Sequence, residues 1–496
     1  MFSTTFLGHQ GWVCSHEGST LLIDPLLRAE FGLGSDICRV YPPREWSHDA
    51  PLRVSAVLLT HEHEDHFDVG SLCRIDRGVP VLLSALSSSA AETILRELGF
   101  SVQRVHAGDV VTVGSLRVSC FSADHVETNN SDEWDVLQFL VADTAGDGSL
   151  CSYVDAHMTP DTVAAVRARC ARRGLWAVTN NTTVWPFVSA GRVTRTDPPF
   201  DTLALASEFV TTEARLRWQW EPPAGMLVTG GGFAFADKQE WLNRNVFTAD
   251  SERIARAVAE LLPGQAVFAP SPGTTVRMQQ GSVVGVDPAT PWLSAAPRAS
   301  WPDRTYHGDV SLMEDYDPRC GRSDLAESEL HEVLRELEDF ARALYGGPTF
   351  RAICSADARR IDGRKPGFAI VLRGGGDALH TLEYDPTGCR FVRVDCDDAA
   401  AEYLYGIECW GSDLHAVLCG TMGPLGIVYG GSRIWSFAAP GAAPFTLEAL
   451  WQFLHPMRRP TQTLALYRAL ALRHRGDPSI VRATEPRPVS LARDAP

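Results

Sequence analysis

The sequence predicts an α/β protein in which sheets are covered by helices, with a smaller α+β module behind it. Three observations carry that expectation. Short apolar runs ending in Gly, Asp or His alternate with helical stretches over the first half of the chain. A Pro- and Trp-bearing stretch, DPATPWLSAAPRASWP, then breaks the alternation. Beyond it come a long amphipathic helix and a strand-rich region. The expected division is a first domain over 1–285, a linker over 286–323, a module over 324–474 and a disordered tail over 475–496.

The runs VSAVLLT (54–60), VPVLL (79–83), LRVSCF (116–121), LQFLVA (137–142) and LCSYV (150–154) read as strands. Between them, SSAAETILREL (88–98) reads as a helix opened by serines and closed by Gly99. PDTVAAVRARCAR (160–172) reads as a second helix, with Thr159 as N-cap and Pro160 in its first turn. Further on, DLAESELHEVLRELEDFARAL (324–344) carries Leu325, Leu330, Val333, Leu334, Leu337 and Phe340 on one stripe. Residues 350–440 are strand-rich, and 446–455 reads as another helix. RGGGD at 373–377 is a glycine turn without the strand–helix setting of a phosphate loop. The tail from Arg475 is rich in Pro, Arg and Asp and is expected to be disordered.

Composition narrows the function classes. The 496 residues, 45% hydrophobic and 21% charged, suffice for two or three domains. A formal net charge of -16 argues against nucleic acid or an anionic membrane surface as partner, while leaving room for a small-molecule substrate held by a few arginines. MFSTTFLGHQ at the start lacks the basic and apolar regions of a signal peptide, and no apolar run approaches the roughly 20 residues of a membrane span. The expected location is cytoplasmic. The 12 cysteines form no C-x-x-C pair, so a disulfide scaffold or zinc ribbon is not expected. Cys14 and His16 make a lone C-x-H with no C-x-x-H to complete a Rieske pair.

The chemistry concentrates in THEHEDH, Thr60–His66, directly behind an apolar run. A strand's carboxyl end is where α/β proteins place their sites. With the backbone extended across Thr60–His63, His61 and His63 project to one side and chelate one metal. Asp65 and His66 follow the turn and point toward a second. His125 in FSADHVE and Asp155 in CSYVDAH follow other strands and are expected to complete the site, Asp155 bridging the two ions. Asp65 and Asp155 are the expected catalytic carboxylates. Glu127 and His157 are candidates for ligands or for supporting residues.

At this point the chain resembles the metallo-β-lactamase fold. The opening FLGHQGWVCSHEGSTLLIDPLL, the motif THEHEDH, His125 and Asp155 carry the resemblance over about residues 1–280. It implies a four-layer αββα sandwich with a dinuclear centre at the sheet edges, with His9 and Asp24 supporting the site rather than binding metal. One departure stands out: hydrolases of this fold carry a last histidine after a late strand, and residues 264–294 contain none. AVFAPSPGTT (266–275) instead looks like the corresponding region of the CMP-N-acetylneuraminate hydroxylases, lactonase-like relatives within the superfamily. HVETNNSDEWDVLQFLVAD, SYVDAHMTPDTV, GGGFAFADKQEWLNRN and the late stretch 398–435 resemble that family in order, and the last also looks like a sterol-carrier-type module. That family's N-terminal Rieske domain has no counterpart in this sequence.

Two chemistries follow from the resemblance. The first is an O2-dependent non-heme di-iron monooxygenase, holding two iron ions and hydroxylating a C–H bond of a small-molecule, CoA-linked or nucleotide-linked substrate. His61, His63 and His125 would hold one iron, Asp65 and His66 the other, with electrons from a separate ferredoxin or reductase. The alternative is a hydrolase of a phosphoester, lactone or thioester using two zinc ions. Imidazole and carboxylate suit both metals; the histidine missing from 264–294 favours the first. Trp134, Trp176, Trp185, Phe187, Trp218, Trp220, Phe233 and Phe235 lie in segments expected to surround the metal mouth, most of them as core residues and a few lining an apolar pocket; EARLRWQW (213–220) reads first as a surface strand and second as a cradle for an anionic, partly apolar substrate.

Overall fold

The computed structural model describes residues 1–123, 135–179, 222–230, 233–235, 237–244, 249–304, 316–345, 363–436, 452–484 and 489–493, with 207, 210–212 and 450, and without 33, 35, 48, 49, 157, 171 and 172. Two eight-stranded sheets dominate it. The first runs, in spatial order, Val102–Val105, Val81–Ser84, Ala56–Leu59, Ser19–Ile23, Gly11–His16, Phe2–Gly8, Thr275–Gln279 and Ser282–Asp287. The second runs Val267–Phe268, Gly225–Thr229, Leu175–Thr179, Ser149–Ser152, Leu137–Asp143, Leu116–Ser122, Asp109–Val113 and Val489–Arg493.

Period-two alternation decides which way each strand faces. In Gly11–His16, Trp12 and Cys14 join a core shared with the second sheet, while Val13 joins a core under helices. In Ala56–Leu59, Ala56 and Leu58 face inward and Val57 and Leu59 outward. From the second sheet, Val118, Phe139, Val141 and Ala177 enter the same shared core, and Leu140, Cys151, Trp176 and Val228 pack under other helices. Both sheets are therefore buried on two faces, which gives the four layers αββα expected of the fold.

The covering helices begin where the sequence offers caps. Ser89–Glu97 starts at Ser88, whose Oγ accepts from the amides of Ala90 and Ala91, a cap worth about 1 kcal/mol. Its Ala90, Ala91, Ile94 and Leu95 lie on the first sheet, and Gly99 ends it with φ 97°. Pro160–Arg169 starts at Thr159, whose Oγ1 accepts from Thr162 N at 2.9 Å, and lays Val163 and Val166 on the second sheet beside Ile254 and Val258 of Ser251–Leu261.

A five-stranded sheet follows, in the order Arg390–Val394, Leu379–Asp385, Lys365–Arg373, Tyr403–Trp410 and Ser432–Ser436. Helix Glu327–Leu344 buries Leu330, Val333, Leu337 and Phe340 against it, the stripe expected from the sequence. RGGGD forms the turn between Lys365–Arg373 and Leu379–Asp385, with Gly376 at φ 65°. Among the described residues no helix is long and apolar enough to cross a membrane.

Three parts depart from the expected division. The stretch expected to be a linker packs: Leu293–Ala295 pairs with Arg44–Trp46, and Trp292 stacks on Trp46. Helix Pro460–Arg473, counted with the C-terminal module, lays Leu466, Tyr467 and Leu470 into the outer core of the first sheet. The tail expected to be disordered contains two strands: Val481–Ala483 pairs with Leu52–Val54, and Val489–Arg493 pairs with Asp109–Val113. Polar composition gave no hint that these short β-formers would meet sheet edges, where open amides and carbonyls invite pairing.

Tyr467 ties the late helix to the motif, because its hydroxyl donates to Glu62 Oε1 at 2.9 Å inside the core. Glu62 also accepts from Ser88 N and Ser88 Oγ, at 2.6 and 2.7 Å, and burial raises its pKa. Tyr467→Phe leaves a buried carboxylate short of a donor and is expected to cost about 1–3 kcal/mol, read as a lower urea midpoint with unchanged slope.

Candidate metal centre

The strand before the motif ends at Leu59; Thr60–Glu62 carry no regular structure, a bend falls at His63, and a turn follows at Glu64–His66. The cause is Asp24. Strands Ser19–Ile23 and Ala56–Leu59 are parallel with Ile23 opposite Leu58, which puts Asp24 beside Thr60. Asp24 Oδ1 accepts from Thr60 N at 2.9 Å, and Oδ2 accepts from Thr60 Oγ1 at 2.6 Å and from His66 Nδ1 at 2.9 Å. Three donors on one buried carboxylate fold the chain back on itself. His61 and His63 still end as neighbours, with ring centroids 4.6 Å apart.

The same bonds set the tautomers. Thr60 gives its single hydroxyl proton to Asp24, so its oxygen accepts from His61 Nδ1, 3.0 Å away, and the lone pair of His61 is on Nε2. His66 donates from Nδ1 to Asp24 and turns Nε2 to Asp155 Oδ2 at 2.7 Å. His9 Nε2 lies 2.7 Å from Asp65 Oδ2, and Asp65 Oδ2 lies 3.8 Å from His66 Nε2. His9, Asp65, His66 and Asp155 each offer a ligand atom within 4.8 Å of the others. His61 Nε2 lies 3.8 Å from Asp155 Oδ2, beside this group.

The electrostatics follow from burial and crowding. Burial holds His61 well below the ordinary imidazole range, and the charges of His66 and His63 push the same way. For His66 burial also opposes the charged form, but Asp155 and Asp65 outweigh it and hold the ring well above its usual pKa. Burial would raise Asp65, and His66 and His9 overcome it, so its carboxyl lies far below the usual range. The group is a nest of paired opposite charges that a cation can enter by displacing the His66 proton.

Backbone strain collects here. His9, Asp24 and Val154 have φ of 53°, 42° and 56°, a left-handed conformation that is an outlier for a β-branched residue such as Val154. Gln10 Nε2 donates to Val154 O and accepts, at Oε1, from Thr229 Oγ1, tying the two sheet edges together. On the far side of His9, Phe233 packs against Phe31, Phe235 and Tyr429, forming an apolar wall beside the group.

The residues expected from the sequence fall as follows. His61, His63, Asp65, His66 and Asp155 converge. His9 and Asp24, expected as supporting residues, differ: Asp24 lies behind His66 and Thr60, whereas His9 stands among the possible ligands. His125, Glu127 and His157 lie outside the described residues, as do Trp134, Trp185, Phe187 and the stretch 213–220. Trp176 packs on Tyr153 under the outer helices, away from the metal mouth. Two residues escaped the sequence reading: Asp135, just ahead of strand Leu137–Asp143, and His455, far along the chain. Their ligand atoms lie within 4.8 Å of that of His63 and of each other.

The donors fit a metal. Both groups consist of imidazole nitrogens and carboxylate oxygens, and Asp155 Oδ1 is buried with no hydrogen-bond partner among the described residues. A buried anionic oxygen without a donor is costly unless a cation compensates it.

The chain is similar in part to known proteins. The family model of the beta-lactamase superfamily domain matches residues 3–161, the segment that holds the group from His9 to Asp155. The 4-amino-L-phenylalanyl-[CmlP-peptidyl-carrier-protein] 3-hydroxylase of Streptomyces venezuelae is 33% identical over 129 residues, 24% of this chain. The chain spans only 22% of that relative's length. Among solved structures, a CmlA beta-hydroxylase E377D mutant is 20% identical with a TM-score of 0.36, covering 56% of this chain and 54% of that one. An isothiocyanate hydrolase from Delia radicum gut bacteria is 14% identical with a TM-score of 0.37, covering 56% and 99%.

Asp24→Asn keeps a side chain that tolerates the left-handed backbone but replaces one acceptor oxygen by a donor. It is expected to weaken metal binding about 10–100-fold with the fold retained, measured by titrating the metal-free chain with cobalt(II).

Proposed function

We propose that this chain, with its β-lactamase superfamily domain at residues 3–161, is a non-heme di-iron monooxygenase that hydroxylates a C–H bond of an activated small-molecule substrate. The observation that carries the reading is the donor set: buried imidazoles and carboxylates in two adjoining groups, with no thiolate in either. Such donors suit iron as well as zinc. The stretch shared with a hydroxylase inclines the choice to oxygen chemistry, and that relative's substrate, an aminoacyl group on a peptidyl carrier protein, makes a carrier-bound thioester the first class to test.

Two irons, when bound, supply the redox chemistry that activates O2. The chain's own residues do the rest. In this reading His9, Asp65 and His66 would hold one iron and His61 and His63 the other, with Asp155 close to both His66 and His61. His66 must give up its Nε2 proton to bind, while Asp24 keeps its Nδ1–H fixed and so the ring aimed. Phe233 and its aromatic neighbours keep water from the His9 side. In this reading the electrons come from a separate ferredoxin or reductase.

The test uses protein produced in iron-supplemented medium. Two irons per chain are expected, with O2 consumed on reduction and one oxygen atom gained by an aminoacyl thioester on a carrier protein, seen by mass spectrometry. Tightly held zinc with ester, lactone or thioester hydrolysis under argon would replace this reading with the hydrolase.

A further inference from the structure

We infer that the second metal ion is bound by His63, Asp135 and His455, so that the C-terminal part of the chain closes the centre. This rests on the two-metal reading and adds ligands that the motif does not contain. Asp135 is fully buried, and neither of its carboxylate oxygens has a hydrogen-bond partner among the described residues. His455 Nε2 lies 3.4 Å from its Oδ2, too far for a strong ionic hydrogen bond. An anion in that setting is stable only beside a cation. His455 is itself 5% exposed, and its ring lies 6.4 Å from that of His63, edge to face. The three ligand atoms lie within 4.8 Å of one another, and His61, 4.6 Å from His63 ring to ring, joins this group to the one at Asp155.

The scaffold explains how residues so distant in sequence meet. Leu137 N donates to Thr60 O at 3.2 Å, which sets the start of strand Leu137–Asp143, and Asp135 with it, next to the motif. His455 is held from two sides. Arg459, whose backbone N–H donates to His455 O at 3.3 Å, donates through its side chain to Glu336 and to Leu418 O, fixing it to the C-terminal module. Helix Pro460–Arg473, which follows, is fixed to the first sheet through Leu466, Tyr467 and Leu470. Met457 N donates to His455 Nδ1 at 3.2 Å, so the ring proton of the metal-free chain is on Nε2, facing Asp135. For a metal to bind at Nε2 the ring proton must move to Nδ1, so the Met457 amide gives up its bond to that nitrogen in the metal-bound chain.

Cobalt(II) titration of the metal-free chain tests this, with absorption bands and metal analysis as readouts. The wild type is expected to take two equivalents. His455→Gln and Asp135→Asn are each expected to lose one equivalent, or to weaken it by more than the roughly 10–100-fold that a merely supporting residue costs. His9→Ala is expected to lose the other. Variants that unfold more easily but still take two equivalents with unchanged bands would overturn the assignment and leave the two-metal reading standing. A wild type that takes fewer than two would overturn both. If a variant fails to fold, the cobalt anomalous map of wild-type crystals decides. A peak about 2.1 Å from His455 Nε2 and an Asp135 oxygen supports the assignment, and a peak bonded to neither overturns it.

Discussion

Everything at this centre depends on one buried carboxylate. Asp24 accepts three hydrogen bonds, from Thr60 N, Thr60 Oγ1 and His66 Nδ1, and each has a separate consequence. The bond to the amide stops the strand at Leu59. The bond to the hydroxyl turns Thr60 into an acceptor for His61 and so exposes the lone pair of His61 Nε2. The bond to His66 aims the opposite nitrogen at Asp155. A charge buried at 1% exposure is tolerated because all three donors reach it, and the left-handed backbone at Asp24 is the strain that this geometry stores.

Around that anchor, the two sheets deliver the remaining groups from their edges. His9 follows the strand Phe2–Gly8, Asp155 follows Ser149–Ser152, and Asp135 precedes Leu137–Asp143. Gln10 spans the gap by bonding Val154 and Thr229 of the second sheet. The C-terminal segments act as a brace from outside: Tyr467 bonds Glu62 of the motif, and Val489–Arg493 extends the second sheet.

Much of this was legible in the sequence, and the reasons are local. Alternating apolar residues in GWVCSH and AVLL announce strands buried on both faces, and Ser88 and Thr159 announce helix starts. Five residues in the motif and at Asp155 could be read because imidazole and carboxylate crowd behind an apolar run. His9 was expected as a supporting residue, and nothing in LGHQG reveals that its backbone turns left-handed and brings its ring against Asp65. Asp135 and His455 were missed for another reason: their meeting depends on helix Pro460–Arg473 docking on the first sheet, a long-range contact with no periodic signal. The tail strands escaped likewise, since edge pairing depends on the partner and not on the tail's own composition.

The claim that two metal ions sit side by side is tested most directly by Mössbauer spectroscopy of the chain loaded with iron-57. Two high-spin ferric ions coupled into a diamagnetic pair are expected, giving quadrupole doublets without magnetic splitting at low temperature and weak field. A magnetically split spectrum from a single isolated ferric ion, or iron at one equivalent that further loading does not raise, would contradict the account.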